Sequence, residues 1–415
     1  MSAKLFLIDA HALCYSSFYA IKELTNSRGQ ATNAVYGFIN TVRKILRDYQ
    51  PDYMAVCFDS KVKTHRQAVY AEYKIQRPVM PTDLISQIPI IKDVVTAYNL
   101  VIFEVGGYEA DDIIATLAKK ASQENIEVVI VSEDKDMYQL AKKNIKFLST
   151  RKDELLGTAE VKERLGFDPH KIIDFIALAG DNIDNIPGVK GIGEVTARNL
   201  IEEFGDLDNL LKNIEKIKSE KLREKIVQDK QSAIMSRDLA VLECDVPLEF
   251  DLKDLEVKSP NRAKLFEMFK ELEFRRLAEE FSTRSPDEVS LKTISSDEEV
   301  KDLIKHIKQK GQFAFVFESA EEIDKPGVFI ALSEEDSVYY LESVYLPSLK
   351  EVLGNKDIRK ITHNLKDSLK IFSQYDLTVE GSGFDVLLAA YLLSASQGAF
   401  EISDLAWQYF KSSLT

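Results

Sequence analysis

Residues 127–140 read EVVIVSEDKDMYQL: five residues typical of a buried β-strand, followed almost at once by Asp134 and Asp136. The same order, a strand-type run and then an aspartate, occurs twice earlier in the chain, at Lys4–Ile8 with Asp9 and at Tyr53–Phe58 with Asp59. In an open parallel sheet the carboxyl ends of the strands meet at one edge, where ligands bind. The sequence therefore predicts that three strands deliver carboxylates to the same place.

Helical patterns separate these strands. The predicted helices within the first 150 residues are Thr32–Arg47, Asp83–Tyr98 and Ala110–Ala121, and two further strands are Leu100–Phe103 and Ile145–Leu148. Strands that alternate with helices predict an α/β fold, with a mostly parallel sheet and helices on both faces.

Beyond about residue 158 the sequence becomes mainly helical. Helices are predicted at Thr158–Leu165 and His170–Ala179, and the glycine-rich turn 186-IPGVKGIGEV-195 follows them. A stretch of linker composition, 282-STRSPDEVS-290, precedes two more strand-type runs, Gln312–Glu318 and Gly327–Leu332. We therefore predict three domains: an α/β domain at 1–165, a helical domain at 166–283 and a partial second α/β domain at 290–415.

The composition excludes several classes of protein. Of 415 residues, 45% are hydrophobic and 29% are charged, which is ordinary for a soluble globular protein. No apolar run approaches the roughly 18 residues of a membrane helix. The three cysteines, Cys14, Cys57 and Cys244, have no metal-binding spacing; a disulfide framework is excluded, and a reducing cytoplasm is expected. The net charge of -14 argues against binding nucleic acid by bulk charge alone.

More acidic residues lie near the predicted sheet edge. Glu109, Asp111 and Asp112 begin the helix in 107-GYEADDIIATLA-118, and Asp181 and Asp184 precede the glycine-rich turn. The first three alone have an ordinary explanation, since acidic residues are favoured in the first turn of a helix. Together, so many carboxylates repel one another unless cations bind among them. Clustered oxygen ligands suit two Mg²⁺ or Mn²⁺ ions, which can activate water and stabilise the leaving oxygen of a phosphodiester.

A basic segment, 61-KVKTHRQAVYAEYKIQR-77, lies between Asp59 and the helix at Asp83. It carries five basic residues, one acidic residue and two tyrosines. Basic residues interleaved with aromatics suit a phosphate backbone with stacked bases, so Arg66 and Tyr73 are predicted DNA contacts. A solvated amphipathic helix explains the same composition.

The turn 188-GVKGIG-193 has the form of a helix–hairpin–helix. Glycines allow positive φ and let backbone N–H groups approach a phosphate, and such contacts grip a strand without reading its sequence. We predict that Gly188, Lys190, Gly191 and Gly193 bind DNA, with K⁺ as a candidate ion at the turn. A tight interhelical turn without a ligand is the alternative.

Together, these motifs resemble the 5′-nuclease family, in particular the N-terminal 5′→3′ exonuclease domain of bacterial DNA polymerase I. The matching strings within residues 1–285 are 7-LIDAHALCYSSFYAI-21, 32-TNAVYGF-38, 58-FDS-60, 73-YKIQR-77, 107-GYEADDIIATLA-118, 132-SEDKDMYQL-140 and 178-LAGDNIDNIPGVKGIGEVTA-197. The resemblance implies a two-metal nuclease, dependent on Mg²⁺ or Mn²⁺, that cleaves DNA at 5′ ends, nicks and flaps. It also implies a bacterial cytoplasmic protein that works at the nucleoid and has no membrane partner.

The resemblance assigns roles to residues as well. One metal group would be held by Asp9, Asp59, Glu109, Asp111 and Asp112, and the other by Asp134, Asp136, Asp181 and Asp184. Lys74 and Arg77 match a basic pair that contacts the scissile phosphate, and Tyr15 matches an aromatic that stacks on the terminal base. This chain departs from the family pattern at Ser16, where Arg is usual, and at Glu133, where Gly is usual. The first departure is expected to weaken a phosphate contact, and the second to add a carboxylate beside the site.

Residues from about 290 onward resemble, more weakly, the start of a 3′→5′ exonuclease domain with an inactive site. Val316 stands at the first expected metal ligand and Ser368 at another, although Asp367 is adjacent. Glu318 and Asp385 remain, but two scattered carboxylates do not make a metal site. We expect the chain to be the N-terminal part of a polymerase, with one active site and no polymerase domain.

The leading hypothesis is a Mg²⁺-dependent 5′ nuclease. The alternative is a non-catalytic DNA-binding arm that positions a polymerase, although none of the nine carboxylates is missing. A phosphohydrolase for small phosphate esters would need an Asp-x-Asp string after the first strand, whereas Ala10 and His11 follow Asp9 here.

Overall fold

The sheet predicted for the first part of the chain is present in the computed structural model. Its strands are β1 (Lys4–Asp9), β2 (Tyr53–Cys57), β3 (Val101–Phe103), β4 (Glu127–Val131), β5 (Ile145–Ser149) and β6 (Glu154–Leu156). They lie in the order β3-β2-β1-β4-β5-β6, and the pairings are parallel except for β5 with β6. Leu5, Phe6, Leu7 and Ile8 are all fully buried. Because successive side chains of a strand point to opposite faces, both faces of β1 are covered.

The structure describes residues 3–282, 290–317, 327–332, 337–381, 383–393 and 400–410. The chain separates into two units, Met1–Phe274 and Arg275–Thr415. Most of the predicted linker at 282–290 and also Glu318 lie outside the described residues. The further division of the first unit near residue 165 stays a proposal.

Helices account for most of the remaining first unit. They are α1 (Ala10–Ala20), α2 (Asn33–Asp48), α3 (His65–Val69), α4 (Thr82–Ala97), α5 (Ala110–Gln123), α6 (Thr158–Leu165), α7 (Ile172–Ala179), α8 (Glu194–Phe204), α9 (Leu207–Lys212), α10 (Glu220–Gln228), α11 (Lys230–Ala240) and α12 (Arg262–Glu271). The predicted helices at 32–47, 83–98 and 110–121 are confirmed to within two residues at each end. The helix α1 and the antiparallel edge strand β6 were not predicted.

The first helix is fixed at the sheet edge by its cap and by its neighbour. The N-cap residue Asp9 accepts a hydrogen bond from Ala12 N at 3.0 Å, so the turn from β1 into α1 is tight. Where α1 meets α2, a Cβ on Gly37 would lie 2.6 Å from Ser17 Cβ. A larger residue at position 37 would therefore push α1 away from α2.

The helical region after the sheet has its own buried cluster, formed mainly by α7, α8 and α9. The predicted turn joins α7 to α8. At this turn Gly188 has φ +62°, and a Cβ there would lie 2.4 Å from Gly180 N. The turn therefore requires glycine for packing as well as for backbone conformation.

The second unit contains another sheet. Its strands are β7 (Ser290–Ile294), β8 (Gln312–Phe317), β9 (Val328–Leu332), β10 (Ser337–Leu341), β11 (Arg359–Thr362) and β12 (Gly383–Asp385), in the order β12-β11-β8-β9-β10-β7. Its helices are α13 (Arg275–Phe281), α14 (Asp297–Lys310), α15 (Lys350–Leu353), α16 (Leu365–Ser373), α17 (Val386–Leu393) and α18 (Ile402–Phe410). The strands predicted at 312–318 and 327–332 are confirmed over their described residues. Among the described helices of the chain, none has the length and apolar character needed to span a bilayer.

Candidate active site at the edge of the first sheet

Four of the carboxylates predicted to bind metal line one cleft at the carboxyl edge of the first sheet, together with Glu104 and Glu133. Asp9 is the last residue of β1, Asp59 lies two residues beyond β2, and Asp134 lies three residues beyond β4. Asp111 joins them from the first turn of α5. The cleft has a volume of about 910 Å³. The structure thus brings together four of the residues predicted to hold metal ions.

These carboxylates are placed where they repel one another. Asp9 accepts hydrogen bonds from Ala12 N at 3.0 Å and from Ser132 Oγ at 2.9 Å. Burial, together with the charge of Asp59, raises the pKa of Asp9 to about 6. Burial and the charge of Asp134 raise the pKa of Asp111 well above its ordinary value. A cation bound among them would relieve this repulsion.

The second predicted group lies beyond Asp134. Asp134 Oδ1 accepts a hydrogen bond from Asp136 N at 2.9 Å, and Lys135 Nζ lies 3.2 Å from Asp181 Oδ2. Burial, followed by the charges of Asp134, Asp181 and Asp184, raises the pKa of Asp136 to about 8. Asp136 Oδ1 is buried and has no hydrogen-bond partner among the described residues. An unpartnered buried oxygen requires an explanation, and a bound ion supplies one.

The donor chemistry of this edge fits a hard divalent cation. The side chains that meet here offer carboxylate oxygens, which suit Mg²⁺ or Mn²⁺, rather than the nitrogen and sulfur ligands that zinc prefers. Within the described ranges, no three Asp, Glu, His or Cys side chains are drawn together as a preformed metal site. Basic side chains lie among the carboxylates instead.

Lys74 and Arg77, the predicted catalytic pair, bind two of the predicted metal ligands. Lys74 Nζ lies 2.9 Å from Glu109 Oε2 and 3.6 Å from Asp184 Oδ2. Arg77 Nη2 lies 2.6 Å from Asp184 Oδ1. These two cations therefore balance the charge of Glu109 and Asp184 in this structure.

The basic segment is tied to the loop before the glycine-rich turn. Lys74 has φ +59°, which is uncommon for a residue with a side chain, and its N–H donates to Asp184 O at 2.9 Å. Asn185 Nδ2 donates to Glu72 O at 2.8 Å, and Gln76 Nε2 donates to Asn185 Oδ1 at 2.9 Å. This set of bonds holds the Lys74 side chain over the acidic edge.

Arg66 was predicted to contact DNA, and this prediction is wrong because Arg66 is buried inside the first unit, with 1% of its surface exposed. Its guanidinium makes five hydrogen bonds: to both oxygens of Asp112 at 2.8 and 2.7 Å, to Glu109 Oε2 at 3.3 Å, and to the carbonyls of Leu239 at 2.9 Å and Val241 at 2.8 Å. A guanidinium whose donors are all used inside the protein cannot reach a phosphate.

Asp112 belongs to the same buried ion pair, and the structure contradicts its prediction as a metal ligand. Asp112 is fully buried, and besides Arg66 it accepts hydrogen bonds from Glu243 N at 2.9 Å and Glu109 N at 3.2 Å. Both oxygens are therefore occupied. Arg66 and its hydrogen bonds hold the pKa of Asp112 below its ordinary value despite burial.

The two predicted aromatic contacts differ in exposure. Tyr73 is buried, and its hydroxyl lies 3.3 Å from both Glu109 Oε2 and Asp184 Oδ2. Its ring has no face open to a base, so the prediction that Tyr73 contacts DNA is wrong. Tyr15 lines the cleft, with its ring stacked on Tyr19 at a centroid distance of 6.4 Å, and its role stays a prediction.

Models of known families match most of the chain. The 5′-3′ exonuclease, N-terminal resolvase-like domain matches residues 4–166, and the 5′-3′ exonuclease, C-terminal SAM fold matches residues 167–263. A 5′-3′ exonuclease from Aquifex aeolicus is 39% identical over 276 residues, covering 66% of this chain and 94% of that protein. The chain belongs to the 5′-3′ exonuclease family.

The similarity of this 5′-3′ exonuclease family member extends into the second unit, where the DNA polymerase I, ribonuclease H-like domain matches residues 322–415. DNA polymerase I from Caldicellulosiruptor bescii is 35% identical over 99% of this chain and 49% of that protein, and the Bacillus subtilis polymerase is 35% identical over 98% and 47%. The chain therefore spans about half the length of these relatives. A solved T5 5′-exonuclease with bound zinc shares the fold, with a TM-score of 0.50 and 22% identity over 58% of this chain and 90% of that one.

In this family member the glycine-rich turn is partly occupied by protein groups. Gly188 N donates to Ser236 Oγ at 3.0 Å, and Gly188 O accepts from Ser232 Oγ at 2.7 Å. Because Gly188 is buried and its N–H is already used, the prediction that it binds DNA is wrong.

The other predicted residues of the turn face solvent. Lys190, Gly191 and Gly193 are exposed. Lys190 N donates to Asp229 Oδ2 at 2.8 Å, and Gly191 O accepts from Lys225 Nζ at 3.0 Å. The Lys190 side chain and the two glycines therefore stay predicted DNA contacts.

Sequence reasoning missed the part played by Ser132 at the edge of the site. Ser132 Oγ donates to Asp9 Oδ2 and accepts from Asp134 N at 3.1 Å, which links the ends of β1 and β4. The sequence feature that could have indicated this role is the position of the Ser132 hydroxyl, directly after β4 and directly before the acidic string 133-EDKD-136. His11 also contacts the site, because its Nδ1 lies 3.2 Å from Asp59 N and from Asp59 Oδ2.

The predicted remnants in the second unit do not form a comparable group. Val316 lies on β8, and Ser368 is buried in α16. Asp385 accepts hydrogen bonds from Asn364 N at 3.1 Å and Leu365 N at 2.8 Å, so its oxygens hold the start of α16. Glu318 lies outside the described residues.

Proposed function

We propose that the chain is a Mg²⁺- or Mn²⁺-dependent 5′→3′ exonuclease and flap endonuclease that hydrolyses DNA phosphodiesters at a two-metal site. One observation carries the proposal: the cleft at the carboxyl edge of the first sheet is lined by Asp9, Asp59, Asp111, Asp134, Lys74 and Arg77. Family membership supports the same activity. The full-length relatives support a place in DNA polymerase I, and hence in replication and repair in the bacterial cytoplasm.

Two sets of side chains would hold the ions. The first is Asp9, Asp59, Glu109 and Asp111, and the second is Asp134, Asp136, Asp181 and Asp184. Ions bound there supply an activated water and stabilise the leaving oxygen. Mg²⁺ or Mn²⁺ is proposed because the donors are hard oxygens, and the zinc ions of the T5 enzyme support only divalent ions in general.

Lys74 and Arg77 would change partners when DNA enters the cleft. Asp184 now contacts both cations, and Arg77 is half exposed on the cleft side. A phosphate offers the guanidinium a bidentate, charge-assisted partner, and Arg77 then releases Asp184. Lys74 is more deeply buried, with 15% of its side chain exposed, where its charge acts strongly on charge that develops at a scissile phosphate.

Other exposed residues would hold the rest of the substrate. Tyr15 lines the cleft and would stack on the terminal base of the 5′ strand. Lys190, Gly191 and Gly193 would contact the phosphate backbone of the duplex at the turn between α7 and α8, where K⁺ is a candidate ion. In this proposal residues 1–165 carry the active site, residues 166–283 bind duplex DNA, and residues 290–415 fold without a second active site.

The test is cleavage of a 5′-labelled DNA flap by the purified chain, with Mg²⁺ and then with EDTA. Asp134→Asn is the diagnostic variant, and Asp245→Asn is its matched control because Asp245 is an exposed carboxylate paired with Lys119. We expect Mg²⁺-dependent release of the label by the unaltered chain and by Asp245→Asn. We expect none from Asp134→Asn, whose DNA affinity is kept or increased because a negative charge is lost near the phosphates.

The two outcomes separate the enzyme from the alternative. Tight DNA binding without Mg²⁺-dependent cleavage by the unaltered chain would support a non-catalytic DNA-binding arm. Full turnover by Asp134→Asn at saturating Mg²⁺ would contradict the assignment of this carboxylate.

A further inference from the structure

Glu133, which stands where the family usually has glycine, was expected to add a carboxylate beside the metal site. Glu133 does line the cleft, and its carboxylate also binds the turn between β5 and β6. It accepts hydrogen bonds from Ser149 Oγ at 3.1 Å, from Thr150 Oγ1 at 3.3 Å and from Arg151 N at 3.0 Å. The charge of Glu133 is therefore used by three donors of one turn.

The same turn is fixed at a second point. Lys44 of α2 pairs with Asp153 at 2.6 Å, and Asp153 has φ +55°. Lys152 N lies 3.4 Å from Ser149 Oγ. Since β5 runs parallel to β4, the turn lies at the carboxyl edge of the sheet, beside the cleft. The turn is a fixed support at the cleft wall, and Arg151 projects from it as an exposed residue that lines the cleft.

The basic side chains that line the cleft fall into two groups. Lys74, Arg77 and Lys92 are paired with carboxylates. Lys61 and Arg151 also line the cleft, and in the described part of the chain neither has an ion-pair partner. Lys61 follows β2 and Arg151 follows β5, three strands apart in the sheet. At roughly 4.8 Å per strand, the two positions lie on the order of 14 Å apart, on either side of the carboxylates.

We propose that Arg151 binds a DNA phosphate on the β5 side of the cleft and that Glu133 is the positioning residue that holds it there. This inference rests on the proposed function, because it names a contact of the same substrate. An unpaired arginine on a turn that is held in place suits the task, since its planar fork matches two phosphate oxygens and loses less side-chain freedom for each hydrogen bond formed than lysine does. A strand that enters here passes over the acidic edge toward Lys74.

The first test measures binding of a 5′-flap DNA in EDTA, which prevents cleavage, over a series of salt concentrations. The diagnostic variant is Arg151→Ala, and the matched control is Lys152→Ala, which removes the same charge from the same turn but not from the cleft lining. We expect Arg151→Ala to weaken binding roughly fivefold and to lower the salt slope by about 0.9 for a duplex phosphate or about 0.7 for a single-stranded one. Lys152→Ala should leave the slope nearly unchanged.

The second test uses Glu133→Ala, for which the two possible roles predict opposite signs. If Glu133 only placed a negative charge near DNA, its removal would tighten binding. As a positioning residue, its loss should weaken binding, by less than Arg151→Ala does. In the Arg151→Ala background the same change should no longer weaken binding, because the two residues act through one contact.

Two results would overturn the inference: an Arg151→Ala variant that binds DNA with unaltered affinity and salt slope, or a Glu133→Ala variant that binds more tightly. Both can occur in a chain that still cleaves flaps with Mg²⁺. Failure of the proposed function is distinguishable, because it is absence of that cleavage in the unaltered chain.

Discussion

Replacing Arg66 by alanine should destabilise the first unit strongly and should affect DNA binding only through that loss. Arg66 and Asp112 form a buried ion pair in which neither side chain is exposed by more than 2%. The guanidinium also binds the carbonyls of Leu239 and Val241, which joins the basic segment to the end of α11. Its removal leaves a buried carboxylate without its cation and two carbonyls without donors.

The expected magnitude follows from these contacts. Breaking a buried pair by removing one partner costs about 3–5 kcal/mol. The two carbonyls add to this cost only in part, since water can enter the space that the side chain leaves. A loss of about 4 kcal/mol in the free energy of unfolding corresponds to a decrease of about 8–16 °C in melting temperature for a unit of this size.

The assay is thermal unfolding of the whole chain, followed by calorimetry so that the transitions of the two units are separated. Arg66→Lys should fall between the unaltered chain and Arg66→Ala, because lysine keeps the charge but not the fork. Lys63→Ala is the control, since Lys63 is an exposed residue of the same segment, and should change stability by no more than about 0.5 kcal/mol. The reasoning would be refuted if Arg66→Ala melted like the control while the salt slope of DNA binding fell by about one, as expected for a surface phosphate contact.

Two further predictions concern the chemistry. Lys74→Ala should lower the single-turnover cleavage rate more than tenfold and the DNA affinity only a few-fold, because its charge acts mainly on the transition state. Lys63→Ala is the control, because Lys63 is an exposed residue of the same segment that does not line the cleft. A loss confined to affinity in Lys74→Ala would make the segment a binding surface. The chain should show no metal-dependent removal of a 3′ label from a duplex with blocked 5′ ends. The reason is that Val316 cannot ligate a metal and that the oxygens of Asp385 hold the start of α16. Loss of that label by the Asp134→Asn variant would reveal a second active site.

The sheet and its acidic edge could be predicted because they depend on local pattern. A buried parallel strand can be recognised as a short apolar run, and the residue just beyond it lies at the carboxyl edge of the sheet. This position does not depend on contacts with distant segments. This rule placed Asp9, Asp59 and Asp134 at one edge before any contact was known. Asp111 followed because the turn from a strand into a helix lies at the same edge.

Burial of individual polar residues could not be predicted, because it depends on distant segments. The basic segment has the composition of a solvated surface, but residues 239–243 cover Arg66 and Asp112 from more than 100 positions away. The predictions for Tyr73 and Gly188 were wrong for the same reason. The Tyr73 hydroxyl lies against Asp184, and the Gly188 N–H donates to Ser236 of α11.

The sequence by itself determined the parallel sheet of the first unit, the place of Asp9, Asp59 and Asp134 at its carboxyl edge, and the family. Strand ends, hydrophobic periodicity and the order of motifs depend on neighbouring residues, so they can be recognised without the tertiary structure. Only the tertiary structure decided which charged residues face the cleft. It turned Arg66 inward to Asp112, placed the Glu133 carboxylate against the turn between β5 and β6, and left Arg151 facing the cleft. The physical reason is that a charge is buried only where donors and acceptors from other segments satisfy it, and those partners are brought together by folding.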